Sequence, residues 1–141
     1  DPGSQLVKLC HGHNRGVVPC SGPSSLMLAL MGSGLNGQSF AFLGYIPAKT
    51  DERRQALKSI EKHSASAHQT KIMIETPYRN DSLFADILNV CQGSTELCVA
   101  ADITMPDAYI MTKTVAEWKR YVAGKENIIG KRPCVFLILA H

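Results

Sequence analysis

Three turns in this 141-residue chain carry the side chains best suited to holding a ligand: Ser21-Gly22-Pro23-Ser24-Ser25, Glu75-Thr76-Pro77-Tyr78-Arg79 and Ala100-Ala101-Asp102. Each lies at the carboxyl end of an expected strand, where open α/β sheets place their ligands. Taken singly each is weak, because Gly-Pro-Ser is an ordinary way into a helix and a lone Arg79 is ordinarily a surface residue. His11-Gly12-His13 with Cys10 and Cys20 forms no standard closed ligand set, so no metal is expected. The glycines of Gly32-Ser33-Gly34 and Gly37 follow a helix instead of joining a strand to one, which removes the phosphate-loop and dinucleotide fingerprints. Nothing resembles a nucleophile elbow.

The elements that must position these turns alternate in period. Residues 4–11 place Leu6, Val7 and Cys10 on one side and read as the end of a helix. Residues 16–20 are a short apolar run bounded by Gly and Pro and predict a buried strand. A helix over 26–31 follows, with Ser24 or Ser25 as its N-cap and small residues at its end. Residues 40–46 predict a strand closed by Pro47, and Thr50-Asp51-Glu52 opens a helix to about residue 62 with Leu57 and Ile60 inward. A strand at 71–75 and a helix at 81–90, its Leu83, Phe84, Ile87 and Leu88 facing the core, make a further β-then-α unit. Strands at 97–101 and 108–112 are short enough to pair as a hairpin across Thr104-Met105-Pro106-Asp107. A helix around Trp118 and a continuous apolar strand over 133–140 complete the chain. The pattern predicts an α/β layer structure: a mixed, mostly parallel sheet of about five strands flanked by helices.

Composition bounds the reading without directing it. With 45% hydrophobic, 6% aromatic and 19% charged residues the chain can bury one core, and the disordered and disulfide-scaffold classes drop out. Fifteen basic against twelve acidic residues leave a net charge of +3, compatible with nucleic acid but no argument for it. Arg53-Arg54 and Lys131-Arg132, the dense basic pairs, read as solvated faces. Five cysteines without CxxC spacing suit free thiols in a reducing cytoplasm, and no apolar run reaches the length of a membrane span. The opening Asp1-Pro2-Gly3-Ser4, without Met, reads as a chain begun inside a loop.

Taken in order, Asp1-Pro2-Gly3-Ser4, Val17-Val18-Pro19, Gly22-Pro23-Ser24-Ser25, Phe42-Leu43-Gly44-Tyr45-Ile46-Pro47, Glu75-Thr76-Pro77-Tyr78-Arg79 and Cys98-Val99-Ala100 resemble the tetrapyrrole-methylase-like methyltransferase superfamily. Within it, the bacterial ribosomal-RNA 2′-O-ribose methyltransferase branch has similar motifs: Ser-Asp-Pro-Gly, Gly-Pro-Ser, Glu-Ser-Pro-His-Arg and Val-Ala-Arg-Glu-Leu-Thr. The resemblance spans essentially the whole chain. It implies two α/β domains with S-adenosylmethionine in the cleft between them, commonly as a homodimer. Residues 1–15 would then be a remnant of the N-terminal cofactor domain and linker, and 16–141 the C-terminal domain. RNA, or a tetrapyrrole-like small molecule, would be the methyl acceptor, with no role for DNA or membrane. The isolated chain would be inactive. An alternative is a degenerate module that keeps the fold for dimerisation or protein binding.

The same resemblance implies cofactor contacts at Asp1, Ser4, Ser25, Leu26, Tyr78, Ala101 and Cys134, and assigns Arg79 either to a substrate phosphate or to fixing a loop through Glu75. Each has an ordinary structural alternative: Ser25 as a cap, Leu26 and Cys134 as core filler, Tyr78 as cover for a sheet end. Methyl transfer from a sulfonium needs alignment more than covalent chemistry, and no side chain stands out as a general base. Where the ribosomal-RNA branch has Arg-Glu-Leu-Thr-Lys, this chain has Ala101-Asp102-Ile103-Thr104-Met105, and Tyr78 replaces its His. The loss of two cations implies a weaker hold on RNA at that turn.

Overall fold

The computed structural model describes residues 2–141; Asp1 lies outside them. Helix α1 (Gly3–Gly12) comes first, then α2 (Ser25–Ser33), β1 (Phe40–Tyr45), α3 (Thr50–Ala67) and β2 (Thr70–Ile74). A 3₁₀ turn at Pro77–Arg79 leads into α4 (Asn80–Val90), followed by β3 (Glu96–Ala101), β4 (Tyr109–Thr114), α5 (Val115–Val122) and β5 (Cys134–Leu139). The five strands form one sheet in the order β1-β2-β5-β3-β4.

The mixed sheet of five strands flanked by helices agrees with the sequence pattern, but its parallel majority does not. Only β1 and β2 are parallel neighbours; β5 is antiparallel to both β2 and β3, and β3 is antiparallel to β4. The helical crossovers are present, yet β5 inserts between β2 and β3 and runs against both. All six residues of β5 are buried. A strand covered on both faces is continuously apolar whichever way its neighbours run, so its sequence carries no sign of direction.

Residues 16–20 are a second correction. They join no strand, and Val18 is 86% exposed. A run of two valines closed by Pro19, which has no N–H to give to a ladder, fits an extended connection as well as a strand. Helix α1 forms as the periodicity predicts but buries none of its residues. Helix α3 runs past the expected residue 62 because Ser64 is buried within it, donating to the Gln69 carbonyl at 2.8 Å and accepting the Ala140 N–H at 3.0 Å.

Two apolar layers hold the sheet. On one face α3, α4 and α5 cover Met73, Leu97, Val99, Phe136 and Ile138 with Leu57, Leu83, Ile87 and Trp118. On the other, α2 lays Ala29 and Leu30 over Ile72, Cys98, Ala100, Val135 and Leu137. Trp118 is fully buried, stands edge-on to Phe84 at 5.3 Å, and donates its indole N–H to the Leu97 carbonyl at 2.8 Å. Trp118→Phe keeps most of the ring contact and removes that donor, so it should cost about 1–3 kcal/mol in denaturant unfolding; no change would mean that the indole bond contributes nothing net.

Candidate functional site

The crossovers leave the carboxyl ends of β1, β2 and β3 at one edge of the sheet, beside the start of β5. There a cavity of about 480 Å³ opens, with Ser25, Tyr45, Glu75, Asp102 and Cys134 in its walls and Ile74, Pro77, Ala100, Ile103, Met105, Pro133 and Val135 as apolar lining. All three turns singled out in the sequence contribute. Ser25 comes from the first turn of α2, where Ser24 caps the helix by accepting the Met27 N–H. Glu75 and Pro77 follow β2, while Ala100 and Asp102 end β3. Tyr45 reaches the cavity after a register shift between Phe42 and Gly44, and Gly44 takes the left-handed conformation (φ +69°) that a side chain at that bulge would resist.

Two carboxylates give the cavity its polarity. Glu75 Oε1 accepts from the Thr76 backbone N–H at 2.7 Å and lies 3.7 Å from the Arg79 guanidinium. Its Oε2 is buried with no hydrogen-bond partner among the described residues. A buried carboxylate oxygen left unpaired loses its hydration without compensation, which favours a ligand that brings a donor. Asp102 lies 3.7 Å from Arg132, and its N–H donates to the Pro133 carbonyl at 3.0 Å. Neither arginine is among the lining residues, so the wall presents carboxylates, hydroxyls, a thiol and hydrocarbon but no cation.

The wall is held from behind. Asn80 donates to the Gly130 and Arg132 carbonyls at 3.2 and 2.6 Å, and Asp81 accepts the Ile129 and Gly130 N–H groups at 2.9 and 3.0 Å. These bonds tie the start of α4 to the loop that delivers Pro133 and Cys134. Beyond β3, Asp102 (φ +50°) and Thr104 (φ +76°) sit in the left-handed region, which is rare for a β-branched residue and places the backbone strain next to the cavity.

The residues named from the sequence divide. Ser25 and Cys134 line the cavity. Leu26 packs on the α2 layer of the core, and Ala101, flanked by the lining residues Ala100 and Asp102, turns its side chain into the α3–α5 layer. Tyr78 is 65% exposed with the Arg79 guanidinium 4.9 Å from its ring centroid, so Pro77 rather than Tyr78 forms the wall. Arg79 lies 3.7 Å from Glu75, the contact that its loop-fixing alternative requires. Ser4 lies on α1 and is not among the lining residues; Asp1 is outside the described residues. His13 donates through Nδ1 to the Leu9 carbonyl at 2.9 Å, at the end of α1. Among the described residues no group of three or more His, Cys, Asp or Glu side chains could hold a metal, and no helix is long and apolar enough to cross a membrane.

Sequence reasoning did not single out Tyr45, Ile103, Met105 or Pro133 as lining residues. Tyr45 could have been found, since Gly44 marks a bulge at a strand end; Met105 depends on the strained Asp102–Thr104 backbone, which no residue type there announces.

Burial pushes the Cys134 thiol up to about 12, and Cys91 likewise. A thiol whose folded value lies above its ordinary one near 9 contributes its full stability below that value and loses it as pH climbs toward 12. Alkylation with iodoacetamide near pH 8 should therefore modify exposed Cys20 and leave Cys134 intact in the folded protein, as read by peptide mass spectrometry. Equal labelling of the two would contradict the buried placement of Cys134.

The fold is that of solved methyltransferases. The chain matches a cobalamin biosynthetic enzyme, cobalt precorrin-4 methyltransferase CbiF, at a TM-score of 0.57 with 14% identity, over 97% of this chain and 57% of that one. A putative diphthine synthase from Entamoeba histolytica matches at 0.58 with 15% identity, over 98% and 59%. In sequence the chain is similar to ribosomal RNA small subunit methyltransferase I of Vibrio cholerae, 35% identical over 127 residues, which are 90% of this chain and 43% of that protein. The chain spans less than half the length of the curated relatives it matches. No protein-family model matches it. Both likenesses fall on methyltransferases and support the superfamily that the motifs resemble.

Proposed function

We propose that this chain is the C-terminal domain, residues 16–141, of an S-adenosylmethionine-dependent methyltransferase, with 1–15 belonging to the preceding cofactor domain and linker. The cavity at the strand ends carries the reading: its volume suits a small-molecule ligand, its walls are largely apolar, and its buried carboxylate oxygen lacks a donor. S-adenosylmethionine supplies a methyl group on a sulfonium, and its amino and hydroxyl donors and flat base match those features.

In this reading Ile74, Pro77 and Val135 offer an apolar slot, Glu75 and Asp102 accept from donors, and Ser25 adds a hydroxyl where the N–H groups at the start of α2 favour an anionic end. The cation-free wall also favours the positively charged donor over its neutral product, a difference that helps release after transfer. Leu26, Ala101 and Tyr78 act by supporting this wall or through their backbone.

The acceptor we propose is an RNA ribose hydroxyl, supported by the names of the sequence relatives; a tetrapyrrole-like small molecule is the second candidate, supported by the precorrin enzyme among the fold neighbours. A cytoplasmic homodimer goes with either. Since the cleft is shared between two domains in this reading, the chain alone is inactive.

Calorimetric titration of S-adenosylhomocysteine into the full-length protein tests the proposal. Saturable binding at micromolar to low millimolar concentration is expected. No heat at millimolar ligand would overturn it and favour a degenerate module that keeps the fold for dimerisation or protein binding.

A further inference from the structure

The basic residues are not spread evenly. The segment 109–132 holds six cations (Lys113, Lys119, Arg120, Lys125, Lys131, Arg132) against two acids (Glu117, Glu126), a local excess of four where the whole chain has three. One of those acids is occupied: Glu117 accepts the Thr114 N–H at 2.9 Å in the capping box of α5.

Several of the cations are organised around tyrosine rings on the edge strand β4 and on α5. Lys125 Nζ lies 3.9 Å from the centroid of the Tyr121 ring and Lys113 Nζ lies 5.1 Å from it, while Tyr121 is exposed and its ring stands edge-on to Trp118 at 5.7 Å. Tyr109 on β4 neighbours Tyr121, and burial together with that second phenol raises the Tyr109 hydroxyl above its ordinary value. Arg132 then lies 5.9 Å from the Tyr109 ring and shares Asp102 with the wall of the cavity. Lys113, Lys125, Tyr121, Tyr109 and Arg132 thus form a continuous strip that ends at the cavity rim.

We propose that this strip is the track along which a single-stranded RNA segment reaches the cavity, Lys113, Lys125 and Arg132 contacting phosphates and Tyr121 stacking a base. Alternating cations and ring faces are what a flexible polyanion with flat bases requires, and an acidic protein surface would gain little from the rings. Lysines above an aromatic ring are pre-positioned, and neither Lys113 nor Lys125 forms a salt bridge among the described residues, so their charge is available to a phosphate. The strip also supplies cations that the Ala101–Met105 turn lacks. The inference rests on the RNA reading above, but it concerns a different surface from the cofactor walls.

The test is fluorescence anisotropy of a labelled single-stranded RNA of about 20 nucleotides against the full-length protein over a range of salt, with the Lys113→Glu/Lys125→Glu variant and a Lys58→Glu/Lys62→Glu control on α3. The strip variant should bind roughly tenfold or more weakly, with a log–log salt slope shallower by about 1.4, as expected for two lost phosphate contacts on a single strand. The control should stay within about twofold. Tyr121→Ala should weaken binding roughly tenfold and Tyr121→Phe should restore it, with thermal unfolding confirming that each variant is folded. Unchanged binding in the double reversal, or no salt-sensitive binding by the wild type, overturns the proposal. Titration of S-adenosylhomocysteine into the double reversal separates the two readings: cofactor binding retained while RNA binding is unchanged sinks only the strip, and RNA binding lost as expected without cofactor binding in any variant sinks only the cavity.

Discussion

Asp86→Ala is expected to destabilise this domain by about 3–5 kcal/mol, the loss that follows when one member of a buried ion pair is deleted. Arg53 on α3 and Asp86 on α4 have side chains only 3% and 6% exposed. The Arg53 guanidinium donates through Nε to Asp86 Oδ2 at 2.6 Å, touches the same oxygen through Nη2, and donates to Ser82 Oγ at 2.7 Å. Asp86 Oδ1 accepts from Arg54 Nε at 3.0 Å. Removing the carboxylate leaves Arg53 charged in a site where water does not replace its partner, since Ser82 alone cannot balance a full charge. Arg54 is 47% exposed and rehydrates at little cost, so its share of the loss is small. Arg53→Met/Asp86→Leu should recover most of the stability, because the pair is worth little against a packed apolar replacement. Urea unfolding of the single and double variants checks both; a single variant within about 1 kcal/mol of wild type would mean that the α3–α4 contact opens to solvent.

That pair also shows where the sequence was silent. Arg53-Arg54 reads as a solvated basic face, which is right for Arg54 and wrong for Arg53. One step along a helix rotates a side chain by about 100°, enough to carry it from water into the neighbouring helix, and the partner lies 33 residues away. The local periods of α4, β3, β4 and α5 were legible because each is set by its own apolar pattern. The direction of β5 was not, because its six apolar residues satisfy either pairing. At the cavity, Ser25 and Cys134 were legible through motif resemblance, whereas Ile103 and Met105 arrive through a backbone excursion at Asp102 and Thr104 that residue types do not encode. Ala101 was found at the right strand end, but the alternation of a strand turns its side chain to the far face and leaves Ala100 to line the wall.

Ser25→Trp is expected to weaken S-adenosylhomocysteine binding by the full-length protein about a hundredfold, about 2.8 kcal/mol, with little loss of stability. The stability half follows from position. Ser25 is exposed in the first turn of α2, and the capping bond is made by Ser24, so the variant leaves the cap and the Ala29–Leu30 layer in place. The binding half follows from volume. An indole entering a cavity of about 480 Å³ from its rim takes space that the ligand's base or amino-acid end would need, and it replaces the Ser25 hydroxyl with an apolar surface. Ser25→Ala separates those effects: a hydroxyl contact alone is worth about 0.5–1.5 kcal/mol, so the alanine variant should lose no more than roughly tenfold. Calorimetry gives both affinities and urea unfolding gives both stabilities. Full affinity in the tryptophan variant would place the cofactor elsewhere, whereas equal losses in the two variants would assign the effect to the hydroxyl instead of to the space it borders.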